Sequence, residues 1–300
     1  MTSNASRTIV TGASGFVGRA LIARCPSAES ISLGRDDWAE RIASTAWRDA
    51  TVFHLAARVH DPDGDEAAFE HDNVEKTVQL AEAAAGSGAR RFVFLSSIKV
   101  NGEETRERAF RPADKPAPAD AYARSKWKAE VALRTVSERF GIPLVVIRSP
   151  LVVGPGARGN LRALMRVAMK SVPLPFGAVR NRRTLVDVND LASLLLAAAE
   201  MPLEAPRLYF AGDPRPLSTA EIIGAIRAAW SRPAGLVPVS AFTLEILAAV
   251  AGQREKMRRL TRSLELDVAD TLQDLAWRPS LPLEESLGRM ALAYRAGVAQ

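Results

Sequence analysis

Three residues of this 300-residue chain have the types and spacing for proton transfer. Tyr122 and Lys126 stand four apart in a stretch with helical periodicity, so phenol and ammonium share one face. A free tyrosine has a pKa near 10. A neighbouring cation would stabilise phenolate and bring the group towards working range. Ser97 lies upstream at the end of the apolar run 91–97, where its hydroxyl could polarise a carbonyl or alcohol beside the tyrosine. Ser96 competes for this role, but alternation along a strand points the two side chains opposite ways. Near the N-terminus, Thr8-Ile9-Val10-Thr11 runs into Gly12, Gly15 and Gly18, and then a helical pattern begins. Strand, glycine turn and helix start together make a phosphate-binding loop.

The elements that must hold these groups read as an alternation of strands and helices. A second strand is expected over 30–35, and its end normally selects a dinucleotide: an acid holds a ribose hydroxyl, and an arginine accepts a 2′-phosphate. Arg35 precedes Asp36 and Asp37 there, which leans the cofactor towards NADP(H) over NAD(H). One short helix fits 37–49, followed by a buried strand over 51–57. A doubly wound sheet usually fits helix, strand and helix into that interval, so its third, edge strand is expected to be reduced or missing. A helix over 67–85 carries Asn73 and ends at Gly86-Ser87-Gly88. The strand 91–97, a proline-broken loop 101–120, a long helix 121–140 and a strand 144–148 follow. Beyond 151 the pattern is less regular. A helix over 161–170, a return segment 182–190, a helix 191–200 and a last strand 208–212 precede helices over 218–230, 240–251, 268–275 and 283–296. This order predicts an α/β, Rossmann-type doubly wound parallel sheet with a smaller, mostly helical domain. The dinucleotide domain is expected to comprise 1–150 plus 184–212, and the substrate domain 151–183 plus 213–300.

Composition narrows the class. Apolar residues make up 47% of the chain, ample for a sizeable core. The single cysteine, Cys25, excludes an internal disulfide framework and fits a reducing compartment. The polar stretch 1–7 has no apolar signal core, and no apolar run is long enough for a bilayer, so a cytoplasmic protein without membrane insertion is expected. The net charge of +6 suits an anionic substrate. No basic stripe interleaves with aromatics, which argues against nucleic acid. No metal site is expected.

Motifs spread along the whole chain resemble the extended short-chain dehydrogenase/reductases of the NAD-dependent epimerase/dehydratase type. They are Thr11 to Gly18, His54-Leu55-Ala56-Ala57, Asn73-Val74, Ser96-Ser97, Tyr122 with Lys126, Arg148 through Gly156, Arg183 with Asp190, and Leu275-Ala276-Trp277-Arg278-Pro279. More narrowly, 94–103 and Pro173-Leu174-Pro175-Phe176-Gly177 through Asn181-Arg182-Arg183 are similar to bacterial 4-ketoreductases of UDP-N-acetyl-6-deoxyhexoses, which make O-antigen precursors. The resemblance implies that Gly12, Ser14, Gly15, Phe16, Val17 and Gly18 hold the dinucleotide's pyrophosphate. Leu55, Ala56, Ala57 and Asn73 would line its adenosine and ribose, with Arg35 beside them. Tyr122 would be the acid/base and Lys126 its partner, also bonding ribose hydroxyls. Ser97, Asn160, Arg183 and Arg258 would meet a UDP-sugar, the arginines at its diphosphate. A homodimer through the helices near Asn73 and Tyr122 is also implied.

The expected reaction is reduction at C4 of a UDP-linked 4-keto sugar, with hydride from the nicotinamide and a proton from Tyr122. A UDP-sugar 4-epimerase with tightly bound NAD is the alternative. A dehydratase fits less well, because Ile98 and Lys99 follow Ser97 where an acid pair is expected. A non-catalytic dinucleotide sensor is the alternative of another class, and the retained Tyr/Lys pair argues against it. The sequence departs from the family pattern at Lys76 and Ala276, where glycine is common, and at Ser149 and Val153.

Overall fold

The computed structural model describes residues 7–59, 65–202 and 205–298; the polar N-terminal residues 1–6 lie outside these. Six parallel strands form one sheet in the order β2-β1-β3-β4-β5-β8. They are β1 (Thr8–Thr11), β2 (Glu29–Ile31), β3 (Thr51–His54), β4 (Arg91–Ser97), β5 (Leu144–Ser149) and, after the pair β6 (Leu151–Val153) and β7 (Leu185–Asp187), β8 (Arg207–Phe210). Their near-continuous apolar runs belong to strands covered on both faces. Ile9, Val52, Phe92 and Val146 face one core; Val10, Phe53, Val93 and Val145, one residue out of phase, face the other.

Helices α4 (Lys76–Gly86) and α5 (Ala121–Phe140) cover the first face through Leu80, Ala84, Ala129 and Leu133. Helices α1 (Phe16–Arg24) and α7 (Val188–Glu200) cover the second through Leu21, Leu191 and Leu195. Only α2 (Trp38–Ser44) lies between β2 and β3, and among the described residues no strand pairs outside β2. The third edge strand is therefore missing among the described residues, as the short interval predicts. The second strand is shorter than expected and stops before Gly34-Arg35. There the Leu33 carbonyl accepts a hydrogen bond from the Lys76 ammonium, 3.0 Å away, instead of continuing a ladder.

A third core gathers Leu161, Leu164, Phe176, Ile223, Leu287 and Met290 between β6, α6 (Asn160–Ala168), α8 (Thr219–Ala229) and α12 (Leu283–Val298). Helices α9 (Ala241–Val250), α10 (Arg254–Thr261) and α11 (Ala269–Asp274) complete that side. The sequence pattern missed α10, a strongly basic segment whose apolar side chains are only Met257 and Leu260, with Thr261 buried at its end. It also missed β7 inside the return segment, which pairs with β6 in register Leu151 to Leu185. Ala276 adopts φ 45°, a left-handed conformation that costs an L residue about 1 kcal/mol and explains why glycine suits that position.

His54, at the end of β3, is fully buried between two hydroxyls, Thr11 Oγ1 at 2.6 Å and Thr77 Oγ1 at 2.7 Å. Burial, and then the charge of Lys126, push its pKa from 6.5 to about 3, so the ring is neutral. Between those values the unfolded chain binds a proton that the folded chain refuses. Stability present above pH 6.5 is therefore lost as the pH falls towards 3, by up to about 4 kcal/mol. Urea midpoints measured from neutral pH down to about 4 should fall steeply in the wild type. His54→Gln should start lower and fall less steeply; an equal slope in the two proteins refutes this account.

Candidate active site

The glycine loop is built by steric necessity. Gly12 leaves β1 at φ 73°, and a Cβ there would stand 2.7 Å from the Ala56 nitrogen. At Gly18 a Cβ would stand 2.1 Å from the Gly12 carbonyl oxygen, so α1 could not lie this close to the turn with any side chain at that position. Gly15 caps α1 without a side-chain hydrogen bond, and its own N–H closes the turn onto Gly12 O at 2.9 Å. The first turn of α1 thus offers backbone N–H groups and the positive end of the helix. Ser14 lends its carbonyl to Arg19 at 2.7 Å, Phe16 packs towards the third core and Val17 towards the second. Leu55 is held over the loop by its N–H to Thr11 O at 3.2 Å, and Ala56 follows beside Gly12.

Asn73 lies in a π-helical turn (His71–Glu75) between α3 (Glu66–Glu70) and α4, a distortion that recurs at functional sites. Its Oδ1 accepts from Arg58 N at 2.7 Å, and Nδ2 donates to Arg58 O and to Ser125 Oγ, both at 2.9 Å. Both amide hydrogens are thus engaged within the protein. Asn73 ties the segment after Ala57 to the first turn of α5, and so positions the site without a donor left for a ligand.

Helix α5 presents Tyr122, Lys126 and Glu130 on one face at successive i+4 steps. Asp120 caps it by accepting from Ala123 N at 2.7 Å and also pairs with Lys99. Burial alone would raise the Asp120 carboxyl; the hydrogen bonds from Lys99 and Ala123 outweigh it and hold the pKa below the ordinary value. Ser97, half-buried at the end of β4, accepts from Lys99 N at 3.3 Å and lies near enough to the Tyr122 phenol to act on its pKa. Ser96 points the other way and donates to Glu130 Oε1 at 2.5 Å.

Lys126 did not have the expected effect on the phenol. Tyr122 keeps some surface, yet protein encloses it closely enough that burial pushes its pKa up to about 12. The Ser97 hydroxyl works against that rise and the Asp120 charge with it. The phenol therefore keeps its proton at neutral pH. Burial also lowers the Lys126 pKa to about 7, against the opposing charge of Glu130. The Lys126 ammonium is 1% exposed and lies 3.8 Å from the Phe94 ring centroid. No protein acceptor bonds it among the described residues. A buried donor without an acceptor is costly unless a ligand supplies one. With the open α1 terminus, this fits a dinucleotide carrying ribose hydroxyls and phosphates.

A chain of charges runs outward from the N-cap of α5. Lys99 also pairs with Glu103 at 3.2 Å, and Glu103 with Arg259 at 3.7 Å. Arg259 in turn acts on Arg183, whose guanidinium is pushed below its ordinary pKa first by burial and then by that like charge. Arg183 NH1 donates only to the Arg262 carbonyl, at 3.1 Å, with no carboxylate partner among the described residues. Two arginines without a shared anion suit a diphosphate. The expected second arginine was Arg258, but it is held by Glu104 at 2.8 Å and Glu255 at 3.4 Å. Its neighbour Arg259 faces Arg183 instead. Asn160 is exposed at the first position of α6 and forms no hydrogen bond among the described residues. Arg35 is largely exposed, 3.8 Å from Asp37.

Sequence reasoning missed Glu130 and Arg148. Arg148, from β5, binds Glu130 through two nitrogens at 2.9 and 2.5 Å and Asn101 Oδ1 at 2.7 Å, all inside the protein. The second i+4 step from Tyr122 was the available signal.

Over residues 8–212 the chain matches the NAD dependent epimerase/dehydratase family. It is 33% identical to a UDP-glucose 4-epimerase of Vibrio cholerae, with 95% of this chain and 94% of that protein covered. It is 25% identical to a UDP-2-acetamido-2,6-beta-L-arabino-hexul-4-ose reductase of Pseudomonas aeruginosa, covering 80% and 67%. Among solved structures, a UDP-glucose 4-epimerase of Thermotoga maritima with UDP-glucose superposes with a TM-score of 0.75 at 20% identity, covering 97% and 99%. RMD from Pseudomonas aeruginosa, complexed with NADPH, gives 0.76 at 22% identity and the same coverage. The shared fold, the glycine loop and the Tyr/Lys helix lead to one conclusion: this chain belongs to the NAD dependent epimerase/dehydratase family.

Proposed function

We propose that this protein is a nicotinamide-dependent enzyme acting at C4 of a UDP-linked hexose, with reduction of a 4-keto sugar as its net reaction. The observation that carries this reading is the protonated Tyr122 phenol beside Ser97, a donor suited to completing a reduction. When bound, the nicotinamide supplies hydride to the sugar carbon. Tyr122 gives its proton to the C4 oxygen, and Ser97 orients that oxygen by hydrogen bonding. Lys126 holds the ribose hydroxyls, and Arg183 with Arg259 holds the diphosphate. The glycine loop, Leu55, Ala56 and Ala57 seat the dinucleotide, and the sheet with its α1, α4, α5 and α7 layers forms its domain. The third core forms the sugar-nucleotide domain. A homodimer through α4 and α5 completes the proposal, supported by Val131 and Phe140, which α5 leaves exposed.

The identity to the Vibrio cholerae enzyme favours a second reading, 4-epimerisation of a UDP-hexose. Incubation with a panel of UDP-sugars and UDP-4-keto-sugars, followed by chromatography and mass spectrometry, separates the two. Consumption of reduced cofactor with a gain of two hydrogens supports reduction. An isobaric product with no net cofactor use supports epimerisation. No turnover of any sugar overturns both.

For the cofactor we propose NADP(H), with Arg35 meeting the 2′-phosphate. The expected result is that Arg35→Ala raises the KM for NADPH by about tenfold and leaves that for NADH unchanged. Equal effects on the two would refute the assignment.

A further inference from the structure

Helix α9 turns an apolar face to solvent. Phe242, Ile246, Leu247 and Val250 are 74, 48, 63 and 87% exposed. At 100° per residue they share an arc of about 140°. Thr243 is the one polar residue within it, and Leu244, Glu245 and Ala248 point inward to the third core and its neighbours. A soluble helix ordinarily carries charge on that side. Here the charge comes just beyond the C-terminal end, on α10, and it is positive. Arg254 and Lys256 are exposed and form no ion pair among the described residues. The two carboxylates of α9 and α10 are already engaged, Glu245 by Arg262 at 2.6 Å and Glu255 by Arg258 at 3.4 Å.

From these observations we propose that α9 and the start of α10 form a docking surface for an anionic lipid bilayer. The helix lies in the headgroup region, its four apolar side chains reaching the acyl boundary and Arg254 and Lys256 meeting the lipid phosphates. Charge complementarity favours this occupant. A second copy packed on the same face would offer those cations no free carboxylate of α9 or α10, since both are already engaged. The four side chains also offer less than the about 800 Å² that each partner of a stable interface buries. No helix of the described residues is long and apolar enough to cross a membrane, so the contact is peripheral.

Flotation of the intact protein with vesicles of equal parts phosphatidylglycerol and phosphatidylcholine tests the proposal. Binding should be strong, weaken with salt, and fall away on phosphatidylcholine alone. Phe242→Ser with Leu247→Ser should weaken it about a hundredfold at an unchanged thermal midpoint, since both side chains are already in water. Arg254→Glu with Lys256→Glu should weaken it at least twenty-five-fold, about fivefold for each cation lost. In a Phe242→Trp variant the emission should shift to the blue on vesicle addition. Failure of the wild type to float overturns the proposal, as does flotation indifferent to the serine substitutions. A concentration-dependent dimer that those substitutions break, without vesicle binding, would give the face to a second copy and also overturn it.

Discussion

Replacing Tyr122 with phenylalanine should lower kcat by about a thousandfold, about 4 kcal/mol of barrier, and leave KM and dinucleotide affinity near their wild-type values. The ring stays and only the phenolic oxygen is lost. That oxygen has Ser97 as its polar neighbour, and no backbone group hydrogen-bonds it among the described residues. Packing of the ring near Phe69, 6.3 Å between centroids, is retained, so fold and stability should be unchanged. The direction of the pKa shift makes the test specific. With the phenol pushed up to about 12, Tyr122 carries its proton across the whole working range and acts first as an acid. Single-turnover reduction of a UDP-4-keto-sugar should therefore show the full loss in the chemical step. Ser97→Ala should show a smaller loss, about a hundredfold, because the proton donor remains. A Tyr122→Phe protein that reduces at more than a tenth of the wild-type rate would remove the phenol from the mechanism and reopen the sensor alternative.

How far the residues announced this arrangement depends on the range of each interaction. Gly12 to Gly18 and the Tyr122/Lys126 spacing are local patterns whose geometry is fixed within one turn, and they were legible. The missing edge strand was legible from chain length alone, because the interval before Thr51 holds only one helix. Strand alternation alone separates Ser97 from Ser96, and in the structure Ser96 is engaged by Glu130. Interactions across long sequence separation were hidden. Arg258 and Arg259 are adjacent in a uniformly basic stretch, and only the position of Glu104, 154 residues earlier, decides which one is held away from Arg183. The shift at Tyr122 was misjudged in sign for the same reason. Spacing puts Lys126 one turn away, but the low-dielectric enclosure that raises the phenol's pKa comes from packing. Lys76 read as a departure from glycine. Its role at the Leu33 carbonyl and at Asp72, 2.7 Å away, appeared only when α4 was placed beside β2.

Removing one side of the Glu130–Arg148 pair should have the largest effect on stability in the molecule. Both side chains are essentially inaccessible, 0 and 1% exposed. Glu130→Ala leaves the Arg148 guanidinium buried without its counter-ion and Ser96 without its acceptor, which should cost about 3–5 kcal/mol. Replacing both charges by apolar groups of similar volume, Glu130→Leu with Arg148→Met, should recover most of that loss, because the desolvation of both ions is then avoided. Catalysis should not recover with it. The pair joins the neighbours of the side chains proposed to react: Ser96 beside Ser97 on β4, Asn101 at the end of the short turn that Ser97 caps, and α5 one turn beyond Lys126. An apolar pair fills the space without fixing those distances, so kcat should stay at least tenfold down in a protein of near wild-type stability. Glu130→Gln gives a second readout that loss of packing would not move. Glu130 raises the Lys126 pKa against burial, so removing its charge lowers that pKa further below about 7. The ribose hydroxyls need the protonated ammonium as donor. Dinucleotide affinity should therefore weaken as the pH rises through this value in the wild type, and do so at lower pH in Glu130→Gln. A midpoint that stays in place would mean that Glu130 holds the core together and does nothing for the site.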